Sequence, residues 1–436
     1  MILLLSSLAL AGSIGSYGRV GVTTDPAGGA AEDLNVVDAG TRLFAPPYLE
    51  LDLKWESPLA DNRGVDVVLT PAFAGDPFAY TGEWSSALAL RNAFVQTHAP
   101  GGTGLWAGAR MVRGDDIYLL DLWPMDELNL VGGGAALGDG DWLGEVHVGL
   151  NRLERDDWQV QRSTVVVPGA VETREVLTLD RQRQILALRL GHTARPRWGT
   201  LRPRLYLEGH RLPAGERRVE VELSEALPSD WGLLIGGQLT VATGKRRWAH
   251  LWLTQGRRLA AWDELAIPEG GLALDGTTQS ARRTTLAGAG LYEGDRAGVL
   301  VGGSAQKRVD ADRIDDLDDT TELVFSVRPA IYPAPHFMLA AELSHQWRQS
   351  RGLDPRSDRI EAPAVTQLAL LPTWQKGQGI LSRPAITAQY VLSIQNNSAR
   401  LAYDEADPRY QHNIQHQVGI VAEWWIESRY DAGGEE

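Results

Sequence analysis

The chain has 436 residues, 43% hydrophobic and 22% charged, and its mean hydropathy of −0.21 excludes both a disordered chain and a bundle of membrane helices. A formal net charge of −14 argues against nucleic acid or an anionic membrane surface as the main partner, since both call for a basic face. The absence of cysteine excludes disulfide staples, thiolate metal sites and a cysteine nucleophile together.

The chain opens with MILLLSSLALA, residues 1–11, which reads as the apolar core of a secretory signal with a small-x-small end at Ala9 and Ala11, or else as a buried first strand; no Lys or Arg precedes it. No other segment approaches the roughly 18 consecutive apolar residues that a spanning helix needs, so any membrane crossing is made by strands. From there to residue 426 one domain is expected, with period-2 runs throughout. They include YLELDLKWE from Tyr48, RQILALRLG from Arg183, RPRLYLEGHR from Arg202, RRVEVELSEAL from Arg217 and LLIGGQLTVATG from Leu233. Further along come ELVFSVRPAIYP from Glu322, FMLAAELSHQWRQS from Phe337, RPAITAQYVLSIQ from Arg383 and HQVGIVAEWWIE from His416. In the first of these Tyr48, Glu50, Asp52, Lys54 and Glu56 share one face and Leu49, Leu51, Leu53 and Trp55 the other. Residues 427–436 read as a polar tail.

A β-sandwich or propeller with one wet face and a transmembrane barrel with a polar lumen both generate this pattern. Length separates them. Sandwich strands average about 5 to 6 residues, whereas membrane strands need roughly 9 to 11, and many runs here have the longer length. The connections are some short and some long and polar, such as 306–322, as on the two rims of an outer-membrane barrel. The 15 Trp and 11 Tyr then belong at the membrane interfaces or inside the channel.

The span LWAGARMVRGDDIYLLDLWPMD from Leu105 concentrates arginines, aspartates, a Tyr and a Trp in a strand-like alternation. Strict alternation places Asp115, Ile117, Leu119, Asp121 and Trp123 on one face and Asp116, Tyr118, Leu120 and Leu122 on the other. Asp116 and Asp121 then cannot share a side, so either the segment is an inward-folded loop with irregular backbone or one of the acids is not luminal.

In order and approximate spacing, SYGRVGV from Ser16, TRLFAPPYLELDLKWE from Thr41, EWSSALALRNAFVQ from Glu83, WAGARMVRGDDIYLLDLWPMD from Trp106, SRPAITAQY from Ser382 and VGIVAEWW from Val418 resemble the maltoporins, sugar-specific outer-membrane channels of Gram-negative bacteria. The resemblance implies an all-β, homotrimeric antiparallel barrel of about 18 strands with the third loop folded inward as a constriction. It also implies maltodextrin sliding along aromatic rings while ionisable residues exchange hydrogen bonds with its hydroxyls. Tyr17, Tyr48, Trp84 and Trp425 match slide positions, with Trp84 contributed to a neighbouring subunit. Arg19, Arg42, Glu50 and Arg91 match the charged track. Asp116, Asp121, Tyr118 and Trp123 fall on the constriction, where the family's arginine meets Gly114, with Arg113 one place earlier. A slide Trp expected before SRPAI is Leu381, and Ile426 stands where a closing aromatic belongs. Outer-membrane lipid and lipopolysaccharide are the surrounding partners; no cofactor, metal or catalytic group is expected.

A pyranose offers C–H faces that lie on aromatic rings and hydroxyls that must keep hydrogen bonds, each unreplaced one costing about 1 to 3 kcal/mol. Arg forks and carboxylates supply that exchange. The rival readings are a general porin or one for another solute such as sucrose, a secreted glycoside hydrolase using Asp115, Asp116 or Asp121, and a soluble sugar-binding sandwich. The hydrolase lacks any Ser/His/Asp, HExxH or phosphate-loop signature.

Overall fold

The computed structural model describes residues 12–27, 33–44, 46–76, 85–112, 114–125, 128–151, 162–166, 173–177, 182–218, 224–262, 271–313, 319–354 and 356–426. The segments expected as signal and tail, 1–11 and 427–436, lie outside them. No described helix is long and apolar enough to cross a membrane. The strands are β1 (Gly12–Thr24), β2 (Tyr48–Pro58), β3 (Gly64–Asp76), β4 (Ser85–His98), β5 (Gly104–Val112), β6 (Leu128–Gly138), β7 (Trp142–Asn151), β8 (Arg162–Val166), β9 (Thr173–Leu177), β10 (Arg183–His192) and β11 (Thr200–Leu212). They continue with β12 (Gly215–Arg218), β13 (Ser224–Leu227), β14 (Asp230–Ala242), β15 (Arg247–Arg258), β16 (Arg282–Glu293), β17 (Ala297–Val309), β18 (Thr320–Ala334), β19 (Phe337–Ser350), β20 (Ala364–Gln375), β21 (Ala385–Gln395) and β22 (Ile414–Ile426).

All but β8, β9, β12 and β13 join one 18-stranded sheet in which neighbours pair antiparallel. β1 pairs with β22 from Ser16↔Ile426 to Thr24↔Val418 and with β2 on its other side. The sheet is therefore a closed barrel, the one way a sheet satisfies every backbone group in hydrocarbon. Ile426 ends the last strand in the place of the family's aromatic.

The alternation is that of a soluble protein turned inside out. In β20 Gln367, Thr373 and Gln375 are buried toward the lumen while Leu368, Leu370 and Trp374 are exposed outside. Trp142, Tyr292, Phe337 and Trp374 sit outside at strand ends next to short turns such as 139–141, 294–296 and 335–336, an interfacial girdle. The opposite rim carries long connections, 25–47, 152–182 and 259–281 among them, and so faces outward from the cell.

One expected strand is not a stave. The run from Arg217 divides between β12 and β13, which pair with each other, Gly215↔Leu227 to Arg218↔Ser224, in a hairpin on the outer rim. Period-2 patterning marks a strand but not the sheet it joins.

Candidate functional site

The first cluster lies where the barrel closes. Register aligns Tyr17 with Trp425 and with Glu50, and Arg19 with Tyr48. Paired residues point to the same face, so all of them look into the lumen. The Tyr17 ring lies 5.7 Å from Tyr48 and 5.6 Å from Trp425, within the range of direct ring contact. Trp425 is 55% exposed, leaving its face open to the channel.

The Tyr48 hydroxyl donates to Glu50 Oε2 at 2.6 Å, and Arg91 Nη1 donates to the same oxygen at 2.7 Å while touching the Tyr48 hydroxyl. Arg91 reaches them through a break in the ladder. Thr70 opposes Asn92 but Pro71 opposes Leu90, so Arg91 is the extra residue of a bulge. Pro71 has no N–H for the ladder, which is why the bulge falls there, and a bulge re-aims the side chain it carries. Glu423, paired with Arg19, holds Arg383 at 2.5 Å, and Arg383 also donates to the Ile380 and Ser382 carbonyls. It fastens the 376–384 turn. Arg19 donates twice to the Pro46 carbonyl, at 3.2 and 3.0 Å.

The second cluster is the constriction. β5 ends at Val112, so the strand-like stretch beyond it is an irregular loop. Tyr118 has φ +63°, a left-handed turn that breaks alternation. Both acids thereby reach one cation. Arg42 Nη1 lies 2.7 Å from Asp116 Oδ2, and Arg42 Nε lies 3.6 Å from Asp121 Oδ1. Burial works against the charge, but Asp116, Asp121 and Tyr17 together outweigh it and raise the guanidinium's already high pKa. The Arg42 guanidinium also covers the Trp123 ring at 4.5 Å, so this Trp faces a cation rather than the Tyr17 cluster.

Arg42 belongs to the first loop, which also folds inward. Thr41 and Leu120 form an isolated bridge, Arg42 N–H donates to Leu119 O and Asp121 N–H to Gly40 O. The first loop is tied to β19 as well: Gln346 donates to Asn35 at 2.6 Å and accepts from the Val36 N–H at 3.0 Å. Leu43 and Leu119 share a buried cluster with Ile380 from the opposite rim, so apolar side chains from three connections fill one side of the lumen. Ile117 docks on Gly302 of β17, where a Cβ would fall 2.6 Å from Ile117 Cγ2. Only glycine leaves room for the loop.

Sequence reasoning missed the wall opposite the constriction. Asp115 receives Arg204 at 3.1 Å and Gln238 at 2.5 Å. Burial alone would raise its carboxyl pKa, but Arg204, His250 and the Gln238 amide hold it below the ordinary value. Tyr118 faces Trp248 at 5.9 Å, and Trp248, His250 and Trp252 follow one another along β15 at 4.6 and 5.3 Å. The signal was present: WAHLW from Trp248 places three rings on one strand face. Trp84 and Arg113 lie outside the described residues, and Leu381 packs partly buried against the apolar cluster. Among the described residues no group of acidic, His or Cys side chains could hold a metal ion.

A closed barrel with an apolar exterior, an aromatic girdle and a polar lumen narrowed by inward loops is an outer-membrane porin. Residues 13–425 match the LamB porin family, and the chain belongs to it. Solved structures similar to it include the outer-membrane channel DcaP of Acinetobacter baumannii, at 11% identity over 95% of this chain and 98% of that one with a TM-score of 0.47. OprD from Pseudomonas aeruginosa aligns at 10% identity over 95% and 93% with a TM-score of 0.45. A. baumannii OccAB1 aligns at 9% identity over 95% and 96% with a TM-score of 0.46. No curated protein matches the sequence.

Proposed function

We propose that this porin conducts neutral sugars, linear glucose oligomers such as maltodextrins above all, by passive diffusion with no chemical step. The observation that carries the reading is the Tyr48, Tyr17 and Trp425 ring series beside the Arg91 and Glu50 pair. The rings offer platforms for C–H faces, and the paired charges offer donors and acceptors to hydroxyls.

Charge balance supports the same solute class. Arg42 is matched by Asp116, Arg91 by Glu50, Arg204 by Asp115 and Arg383 by Glu423. Each such pair exerts little net pull on an ion, while its polar atoms remain available to a neutral solute. Arg19, Asp121, Tyr118 and Trp123 complete the proposed path, and Trp248 is added to it. Trp84 and Arg113 are retained on the resemblance alone. The working unit is proposed as a homotrimer.

Planar-bilayer conductance during titration with maltohexaose, with sucrose as comparison, tests the reading. Saturable, chain-length-dependent block in steps of three is expected. Steady conductance without block would leave a general porin or one for another solute.

A further inference from the structure

The acidic chain carries a basic patch on the outside of its barrel. Arg211 of β11, Arg257 of β15, Arg282 of β16 and Lys307 of β17 are all exposed. Each holds the outward parity of its strand, shared with Leu207, Leu253, Leu286 and Val301. All four lie beside outer-rim connections: Arg211 before 213–229, Arg257 before and Arg282 after 259–281, and Lys307 before 310–319.

Register packs them closely. Arg257 and Arg282 are direct cross-strand partners. Thr284, two residues from Arg282, pairs with Lys307, and Arg211 pairs with the exposed Trp231. Like charges directly opposite destabilise a sheet, and among the described residues no carboxylate pairs with these cations. The nearby Asp230 is already engaged by Arg258 and Thr278. Below the cations, toward the membrane centre, Leu251, Leu253, Leu286 and Val301 are exposed, and Gly288 pairs with Gly303 on the same outer face, leaving a shallow apolar trough.

We propose that this surface binds a phosphorylated lipid of the outer leaflet, its phosphates on Arg257, Arg282 and Lys307 and its acyl chains along the trough. An anion between Arg257 and Arg282 relieves their repulsion, and phosphate suits the guanidinium fork. The apolar continuation selects a lipid over a free anion.

The test is native mass spectrometry of the detergent-purified full chain titrated with lipid A, with dephosphorylated lipid A and inorganic phosphate as the other probes. Expected are lipid A adducts that weaken at least about tenfold in the Arg257→Ser/Arg282→Ser variant, each lost charge-assisted contact being worth about that factor. Bilayer conductance of the variant should match the parent, which verifies its barrel; if it fails to fold, Lys307→Gln with Arg211→Gln gives the same readout. Retention undiminished in a folded variant, or equal binding of dephosphorylated lipid, overturns the site. Displacement of lipid A by an equal concentration of inorganic phosphate overturns the lipid as its occupant.

Discussion

Gly302→Ala is expected to retune the constriction without opening the barrel. The added Cβ would sit 2.6 Å from Ile117 Cγ2, 3.5 Å from Ile117 O and 3.6 Å from Leu119 Cβ. Carbon atoms rest at about 3.5 to 4.0 Å, so the loop must retreat by about 1 Å. Rotation of Ile117 offers little relief, because a β-branched side chain is stiff at χ1. Overpacking of this kind costs about 1 to 3 kcal/mol, small beside the closure of the sheet. Tyr118 is the next residue, so its ring shifts relative to Trp248, now 5.9 Å away. One kilocalorie of lost ring contact corresponds to about a fivefold change in sugar block. The assay is maltohexaose titration of single channels for the parent, Gly302→Ala, Ile117→Ala and the double variant. The double variant should recover much of the lost block, since Ile117→Ala removes the clashing methyl. Unchanged block and conductance in Gly302→Ala, or a double variant no better than the single, would refute the claim that this contact places the loop.

Three further outcomes are expected. Tyr17→Ala and Trp425→Ala should each weaken maltohexaose block by about tenfold with near-parental ion conductance, read in the same bilayers; equal affinity would remove both rings from the path. Glu50→Gln leaves Arg91 unmatched and should shift the reversal potential in a salt gradient toward anions, whereas an unmoved potential would show that this pair does not face the permeating ions. Asp115 has its carboxyl pKa held below the ordinary 3.8, so its contribution to loop anchoring is full above that value and is lost as pH falls through the lowered one. Open-channel noise should stay flat down to about pH 4 and rise below it, while Asp115→Asn should be noisy throughout; a parent noise onset near neutrality would contradict the assignment.

The barrel was legible because strand length and alternation are set by the bilayer, and YLELDLKWE displays its wet face without help from tertiary structure. Register was not, since it depends on which runs become staves: β12 and β13 carry the same pattern yet pair only with each other. The Tyr17 cluster was found through the resemblance. The constriction was half legible: its alternation posed the conflict between Asp116 and Asp121, but the left-handed Tyr118 that reconciles them leaves no signature in residue type. Arg91 was named without a reason for its reach, which lies in a bulge set by Pro71 one strand away. Trp248 went unplaced because a strand face rich in rings fits a girdle or a lumen equally well until parity is fixed.

The inward first loop has a consequence for assembly. The loop is held by partners made late in the chain: Gln346 donates to the Asn35 side chain and accepts from the Val36 backbone N–H, and the Thr41 hydroxyl donates to Gln367. Contacts across such sequence separations form slowly, and the wall that supplies them does not exist until the final strands are in place. The first loop can therefore take up this position only after β19 and β20 have joined the wall.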